Sequence, residues 1–503
     1  MLLLTLLLVP VAFATSIAVL KGFGVNIGRK AAGGLATVVL ALSFFQVVYI
    51  STQMTGRLTE FYPWLNMLNL SFSLILDDLS LLFAAAIAGF SALASAYSII
   101  YLKAHKHPLG EELYFANLLL FEVGMLGVVL SENIIQFLLF FEAMNIPAFF
   151  LAYFWGDKGG KEAAMKYILY MAVGASLLIG GITYLVGSTG ETSLFELPVR
   201  IAEVGLNGDL LVAGALFAGF AIKIAAIPFH TWLPDFHGEA PTPVSALLSA
   251  VMIKLGAYGW VRIVFPFFPS VIEGSSSFLA VLALLTIGWG GYMALSEPDF
   301  KRLLVYSSIS QVGYILFGLA TLTSIGVSGG LLHVFTHGSA KFLLLLVAGS
   351  FIYSVHRRKI SELGGLAGKL PATATLALVG ALSISGAPPF GGFQSEWRVF
   401  VGGMERASSL ALYGTEWAFW TVMTWIGVLL TALTAAYYMW TVMKILYGKM
   451  RPAFVDAAES PSLMVVSMGV AGFIALLFGL APGIITAYTD ELAKLAVSVF
   501  GGG

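Results

Sequence analysis

Three carboxylates, Glu122, Glu142 and Glu396, and five cations, Lys166, Lys223, Lys254, Lys341 and Arg398, lie inside stretches apolar enough to cross a membrane. A charge at mid-membrane costs about 2.5–3.5 kcal/mol, so this set would cost on the order of 20–28 kcal/mol if every member faced lipid. Most of them must therefore face a polar interior. The chemistry open to such groups is the uptake and release of protons. Burial disfavours a lysine's charge and a neighbouring carboxylate favours it, so a lysine under both influences can exchange its proton near neutral pH.

The positions sharpen this reading. Glu142 lies near the middle of its apolar stretch, where a short side chain cannot reach the interface. Lys223 precedes Ile227 and Pro228 by one helical turn, and Lys254 lies about 20 Å up a helix that begins near Pro241. His333, His337 and Lys341 recur at every fourth residue and form a slanting polar line about 12 Å long on one helix. That line suits a proton relay; half of a metal site and plain hydrogen bonding are the other readings. Lys166 and Arg398 lie near span ends, where long stems can snorkel to the interface. Glu122 reads either as a functional group or as a neutral, hydrogen-bonded acid.

The elements that hold these residues are membrane helices. Charged residues are 11% of the 503 and hydrophobic residues 59%, with mean hydropathy +0.91. Apolar runs of about 20 residues exclude both a soluble globule and an outer-membrane barrel. Fourteen spans are expected, at 2–20, 31–51, 79–101, 112–131, 133–155, 163–187, 208–230, 241–265, 276–295, 301–323, 325–355, 370–401, 417–443 and 462–486. The stretches 325–355 and 370–401 are too long for one straight crossing, so tilt or a break is expected. The first run lacks a basic leader and reads as a membrane helix rather than a signal peptide. In the connection 52–78, LSFSLILDD reads as a short strand. The chain ends soon after the last span, and no long helical tail is expected.

With the N-terminus outside, sixteen Lys and Arg fall in inner loops, Lys106 among them, and five in outer segments, Arg57, Arg200, Arg262, Arg406 and Lys494. This bias predicts both termini outside an energy-transducing cell membrane. No cysteine is present, which excludes disulfides and thiolate-held metal or iron–sulfur centres, and a net charge of -1 argues against nucleic acid.

Prolines beside charges predict helix breaks at Pro228 in the seventh span and at Pro388 and Pro389 in the twelfth. Two interrupted helices at matching places point to inverted repeats. The predicted architecture is therefore all-α, with two inverted five-helix repeats formed by spans 4–8 and 9–13. An N-terminal three-helix region occupies 1–111, the repeats 112–265 and 266–443, and a C-terminal helix region 444–503.

The segment HTWLPDFHGEAPTPVSALLSAVMIKLGAYG at 230–259 resembles the signature of the antiporter-like membrane subunits of complex I and of Mrp-type cation/proton antiporters. FFEAMNIPAFFLAYF at 140–154, KRLLVYSSISQVGYILFGLA at 301–320, LLHVFTHGSAKFLLLLVAGS at 331–350 and ELGGLAGKLPATA at 362–374 extend the resemblance over residues 75–450. It implies a proton-translocating subunit in which Glu142 pairs with Lys223, and Lys254 leads through His333, His337 and Lys341 to Glu396. Many relatives carry lysine at the last position; Glu396 resembles the middle antiporter-like subunit of complex I.

Two functions follow as expectations. One is a proton-pumping subunit of a redox-driven complex: complex I-like, a membrane-bound hydrogenase or a sulfur reductase. This chain would then hold no cofactor, while hydrophobic neighbours and a peripheral redox module would supply iron–sulfur clusters with nickel or flavin. The other is the large subunit of an Mrp-type sodium/proton antiporter.

Overall fold

The computed structural model describes residues 1–54, 56–65, 70–104, 109–410 and 413–500; Lys106 and parts of the connection 52–78 lie outside the described residues. Its elements follow from the cost of unsatisfied backbone in hydrocarbon, which leaves helices as the economical way to cross. Among the described residues, twelve helices are long and apolar enough to span a membrane. Two shorter apolar helices, Leu210–Ile224 and Pro371–Ile384, stand where the seventh and twelfth spans are expected. The protein is an all-α polytopic membrane protein.

The chain divides into two compact units. The first comprises Met1–Ile224, Glu239–Leu247 and Val251–Ile272. Its long helices run Leu2–Gly22, Arg29–Gln53, Asp78–Tyr101, Glu112–Leu130, Ile134–Ala143 continued by Asn145–Trp155, and Gly160–Thr189. The expected strand is present at Leu70–Leu76. It pairs antiparallel with Leu58–Leu65, a partner that composition did not foretell.

Below the hairpin, Asp77 caps helix Asp78–Tyr101 by accepting from the Ser80 amide, while Ser80 reaches back to the Asp77 amide. The same carboxylate takes a forked pair of bonds from Arg262, at 2.6 and 2.7 Å. Arg262, expected in an outer segment, thus ties helix Asp78–Tyr101 to the helical stretch Thr242–Phe267. Burial raises the Asp77 carboxyl, but Arg262 and Ser80 outweigh it and hold it at about 2. A depressed carboxyl stabilises the fold above its unfolded value of about 4 and loses that contribution as pH falls toward 2. Asp77→Asn keeps the cap and loses the charge. It should lower stability in detergent by on the order of 2 kcal/mol at neutral pH. Thermal melts at falling pH should show wild type and variant converging below about pH 4.

The second unit comprises Ala225–Gly238, Leu248–Ala250 and Glu273–Gly503. Its long helices are Phe300–Ala320, Ser324–Val355, Gly391–Ser408, Thr415–Tyr447, Ser462–Leu480 and Gly483–Ser498, with most of Pro269–Ser296. Asp299 and Thr323 cap the first two of these through side-chain oxygens. Of the two overlong stretches, 325–355 is one unbroken helix of 32 residues without proline. The other breaks after Ile384 and resumes at Gly391, across Gly386, Pro388 and Pro389. The expected span 462–486 also divides: it stops at Leu480, and Pro482 starts a separate helix, Gly483–Ser498. A residue before proline is pushed out of helical conformation, which accounts for the stop at Ala481.

Candidate functional site

Lys223 sits in the last turn of helix Leu210–Ile224, which ends one residue later, before Ala225 in a left-handed conformation and the cis Ile227–Pro228 bond. A cation there faces the negative end of the helix dipole. Its neighbours within the first unit are specific. Lys223 Nζ donates to Asn145 Oδ1 at 2.5 Å and lies 5.4 Å above the ring of Phe141. Glu142, half-buried, does not touch Lys223 directly. Asn145 stands between them and donates from Nδ2 to Glu142 Oε2 at 3.0 Å. Tyr167 donates to the same Asn145 oxygen at 2.6 Å. Below this group, Phe137, Phe141, Phe220 and Tyr258 form an aromatic layer with ring separations of 5.5–6.4 Å.

Lys254 is fully buried. It occupies the junction where a π-helical stretch, Leu248–Met252, gives way to the α-helical turn Leu255–Gly259. Such widened turns often mark functional positions. A side chain at Gly256 would sit 2.7 Å from the Phe220 carbonyl oxygen, so this glycine allows the helices of Lys254 and Lys223 to approach closely.

In the second unit, His333 Nε2 donates to Gln311 Oε1 at 2.9 Å, since an amide oxygen can only accept. Its Nδ1 meets Ser395 Oγ, also at 2.9 Å. His337 lies parallel to His333, with ring centroids 5.8 Å apart. One turn further on, Lys341 Nζ donates to the Leu304 carbonyl and to Tyr438 OH, each at 2.5 Å, and to Ser307 Oγ. These three acceptors match the three protons of an ammonium. Ser395 ties this line to helix Gly391–Ser408, where the next residue is Glu396. The Glu396 carboxyl is buried, and its Oε1 has no hydrogen-bond partner among the described residues.

The remaining candidates fare differently. Glu122 is fully buried, with the Ser43 hydroxyl beside its carboxyl. Lys166 is half-buried on helix Gly160–Thr189. Arg398 is 24% exposed and paired with Asp490 of the last helix at 2.5 Å, with Ser328 bonded to both.

With these positions in view, residues 131–424, more than half the chain, match the family described as "NADH:quinone oxidoreductase/Mrp antiporter, TM". The chain belongs to this family. Subunit M of the NADH-quinone oxidoreductase of Rickettsia felis is 30% identical over 373 residues, 73% of this chain and 75% of that one. A Na(+)/H(+) antiporter protein of Alkalihalophilus pseudofirmus is 32% identical, covering 96% of this chain and 62% of that one. A chain of respiratory complex I from Thermus thermophilus with bound NADH superimposes with a TM-score of 0.85 at 25% identity, covering 100% of both chains.

The segment matching the NADH:quinone oxidoreductase/Mrp antiporter family holds Glu142, Lys223, Lys254, His333, His337, Lys341 and Glu396; Glu122 and Asp490 fall outside it. Among the described residues, no group of three or more His, Cys, Asp or Glu is placed to hold a metal ion. Among the site residues, Asn145 carries only a weak signal that the sequence could yield, and Tyr167, Gln311, Ser395, Ser307, Tyr438 and Asp490 carry none. All but the last are uncharged and have no insertion penalty large enough to mark them. For Asn145 the available signal is its place three residues after Glu142, one helical turn on.

Proposed function

We propose that this chain is a proton-translocating subunit of a redox-driven respiratory complex, and that it moves protons through half-channels joined by a central chain of Glu, Lys and His. The observation that carries the reading is a buried lysine at the end of an interrupted membrane helix, connected by hydrogen bonds to a carboxylate. Such a lysine has few reasons to be there other than proton exchange. The line in the second unit, from His333 to Lys341 and on to Glu396, supports the same chemistry. Glu142 and Lys223 form the entry pair, and Lys254 takes the proton onward; Glu396 is the terminal site. Fourteen spans, inverted repeats at 112–265 and 266–443, flanking regions at 1–111 and 444–503, and both termini outside the cell membrane belong to this proposal.

Subunit M of a quinone oxidoreductase, among the relatives, favours a redox partner, and the chain covers three quarters of that relative. Iron–sulfur clusters with flavin or nickel would then reside in a peripheral module bound to neighbouring hydrophobic subunits. A specific observation also favours the second reading, an Mrp-type antiporter without a redox partner: the Na(+)/H(+) antiporter protein is the more identical of the two relatives, and the match takes in nearly the whole of this chain.

A census of partners separates them. Native membranes are solubilised mildly, the intact assembly is isolated through this chain, and its proteins, iron, nickel and flavin are measured. Iron–sulfur proteins are the expected result, with nickel marking a hydrogenase-type pump and flavin a quinone- or sulfur-linked reductase. Small hydrophobic partners without metal would replace the redox reading with the antiporter.

A further inference from the structure

Asn145 is buried and uses its whole hydrogen-bonding capacity. Nδ2 donates to the Phe141 carbonyl at 3.3 Å and to Glu142 Oε2 at 3.0 Å. Oδ1 accepts from Lys223 Nζ at 2.5 Å and from Tyr167 OH at 2.6 Å. A primary amide offers two donors and two acceptor sites, and all are occupied. An ammonium can only donate and a carboxylate can only accept, so the amide has one possible orientation between them. The backbone places it there: Asn145 opens helix Asn145–Trp155 immediately after the helix that carries Glu142 has ended. Its bond to Phe141, one turn back, fixes the side chain along the helix surface. Lys223 arrives from a helix 78 residues away in sequence.

We infer that Asn145 is the positioning residue of the entry pair, a neutral bridge that couples Glu142 to Lys223 and holds the two charges apart. A direct ion pair would lock both groups in contact. Through the amide each charge keeps one strong hydrogen bond while its other polar valences stay available to water or to the next proton carrier. The bridge requires a side chain that donates at one end and accepts at the other. Leucine, of similar size, can do neither; aspartate can do both only when protonated. The inference rests on the proton-translocating reading of Glu142 and Lys223.

The test uses the native complex in inverted membrane vesicles, with acidification followed by a pH-sensitive dye and assembly followed on native gels. Asn145→Leu should assemble and transport about tenfold less or worse, since hydrogen bonds to two charged groups are lost without a cavity. Asn145→Asp should be impaired at about pH 8, where it cannot donate, and should recover toward the wild-type rate at the same pH as the medium falls to about pH 6. Wild-type transport by the leucine variant would overturn the inference. So would an assembled aspartate variant equally impaired at every pH, because a packing role has no reason to respond to protons. Glu142→Gln and Lys223→Met run alongside: normal transport in both defeats the underlying reading, whereas loss in both with normal Asn145→Leu defeats only the bridge.

Discussion

Lys223→Ala is expected to abolish proton transport while the complex still assembles. The side chain is 1% exposed and lies against Asn145, the Met171 sulfur at 4.0 Å and the rings of Phe141 and Tyr167. Alanine leaves the entry pair without its basic member. A positioned acid–base group contributes about 10²–10⁴-fold to a proton-transfer step, and a loss of that order is expected in vesicle acidification. Folding should suffer less. Tyr167 still donates to Asn145, and removal of a lysine also removes the cost of keeping its charge in a dry site. Lys223→Met, which retains the stem and fills the space, should transport no better than alanine while melting closer to wild type. Acidification by either variant at the wild-type rate would leave Lys223 with a packing role and end the scheme.

The sequence disclosed the features whose physics is extreme and concealed those whose physics is ordinary. Glu142, Lys223 and Lys254 were legible because charge in hydrocarbon is costly wherever it stands. The interruptions after Ile224 and Ile384 were legible because proline removes a donor and clashes with the preceding turn. Asn145, Ser395 and Gln311 were not legible, because a single amide or hydroxyl is common in membrane helices and its partner lies tens of residues away. The same holds for Asp490, which answers Arg398 from a helix beyond the last expected span. At 325–355 length left two outcomes open, a tilt or a break, and with no proline to stop it the helix runs on unbroken. Strand Leu58–Leu65 contains Pro63, which argues against a strand, so its aromatic residues did not mark it before its partner was known. The π-helical turns around Lys254 left no punctuation in the sequence at all.

Glu396 carries the second large effect. Its helix, Gly391–Ser408, begins after a break that includes Gly386 and the cis Pro388–Pro389 bond. Gly386 has φ +67, and a Cβ placed on it would meet Glu396 Oε2 at 2.5 Å. The interrupted backbone therefore folds over the carboxyl and leaves room for it only because residue 386 lacks a side chain. Glu396→Gln keeps the shape and removes the exchangeable acidic proton. If Glu396 is the terminal proton site, vesicle acidification should fall by about a hundredfold or more, with assembly intact. Glu396→Asp keeps the proton but withdraws it by one methylene, so a smaller, distance-type loss is expected. Gly386→Ala should act through Glu396: it meets a conformational penalty of about 1–2 kcal/mol and pushes the carboxyl aside, which predicts slowed transport with Glu396 still present. Once Glu396 is already glutamine, adding Gly386→Ala should change transport little further, because the group it displaces no longer carries protons. Full acidification by Glu396→Gln would move the exit elsewhere, and independent, additive losses from the two substitutions would show that Gly386 serves the fold rather than the carboxyl.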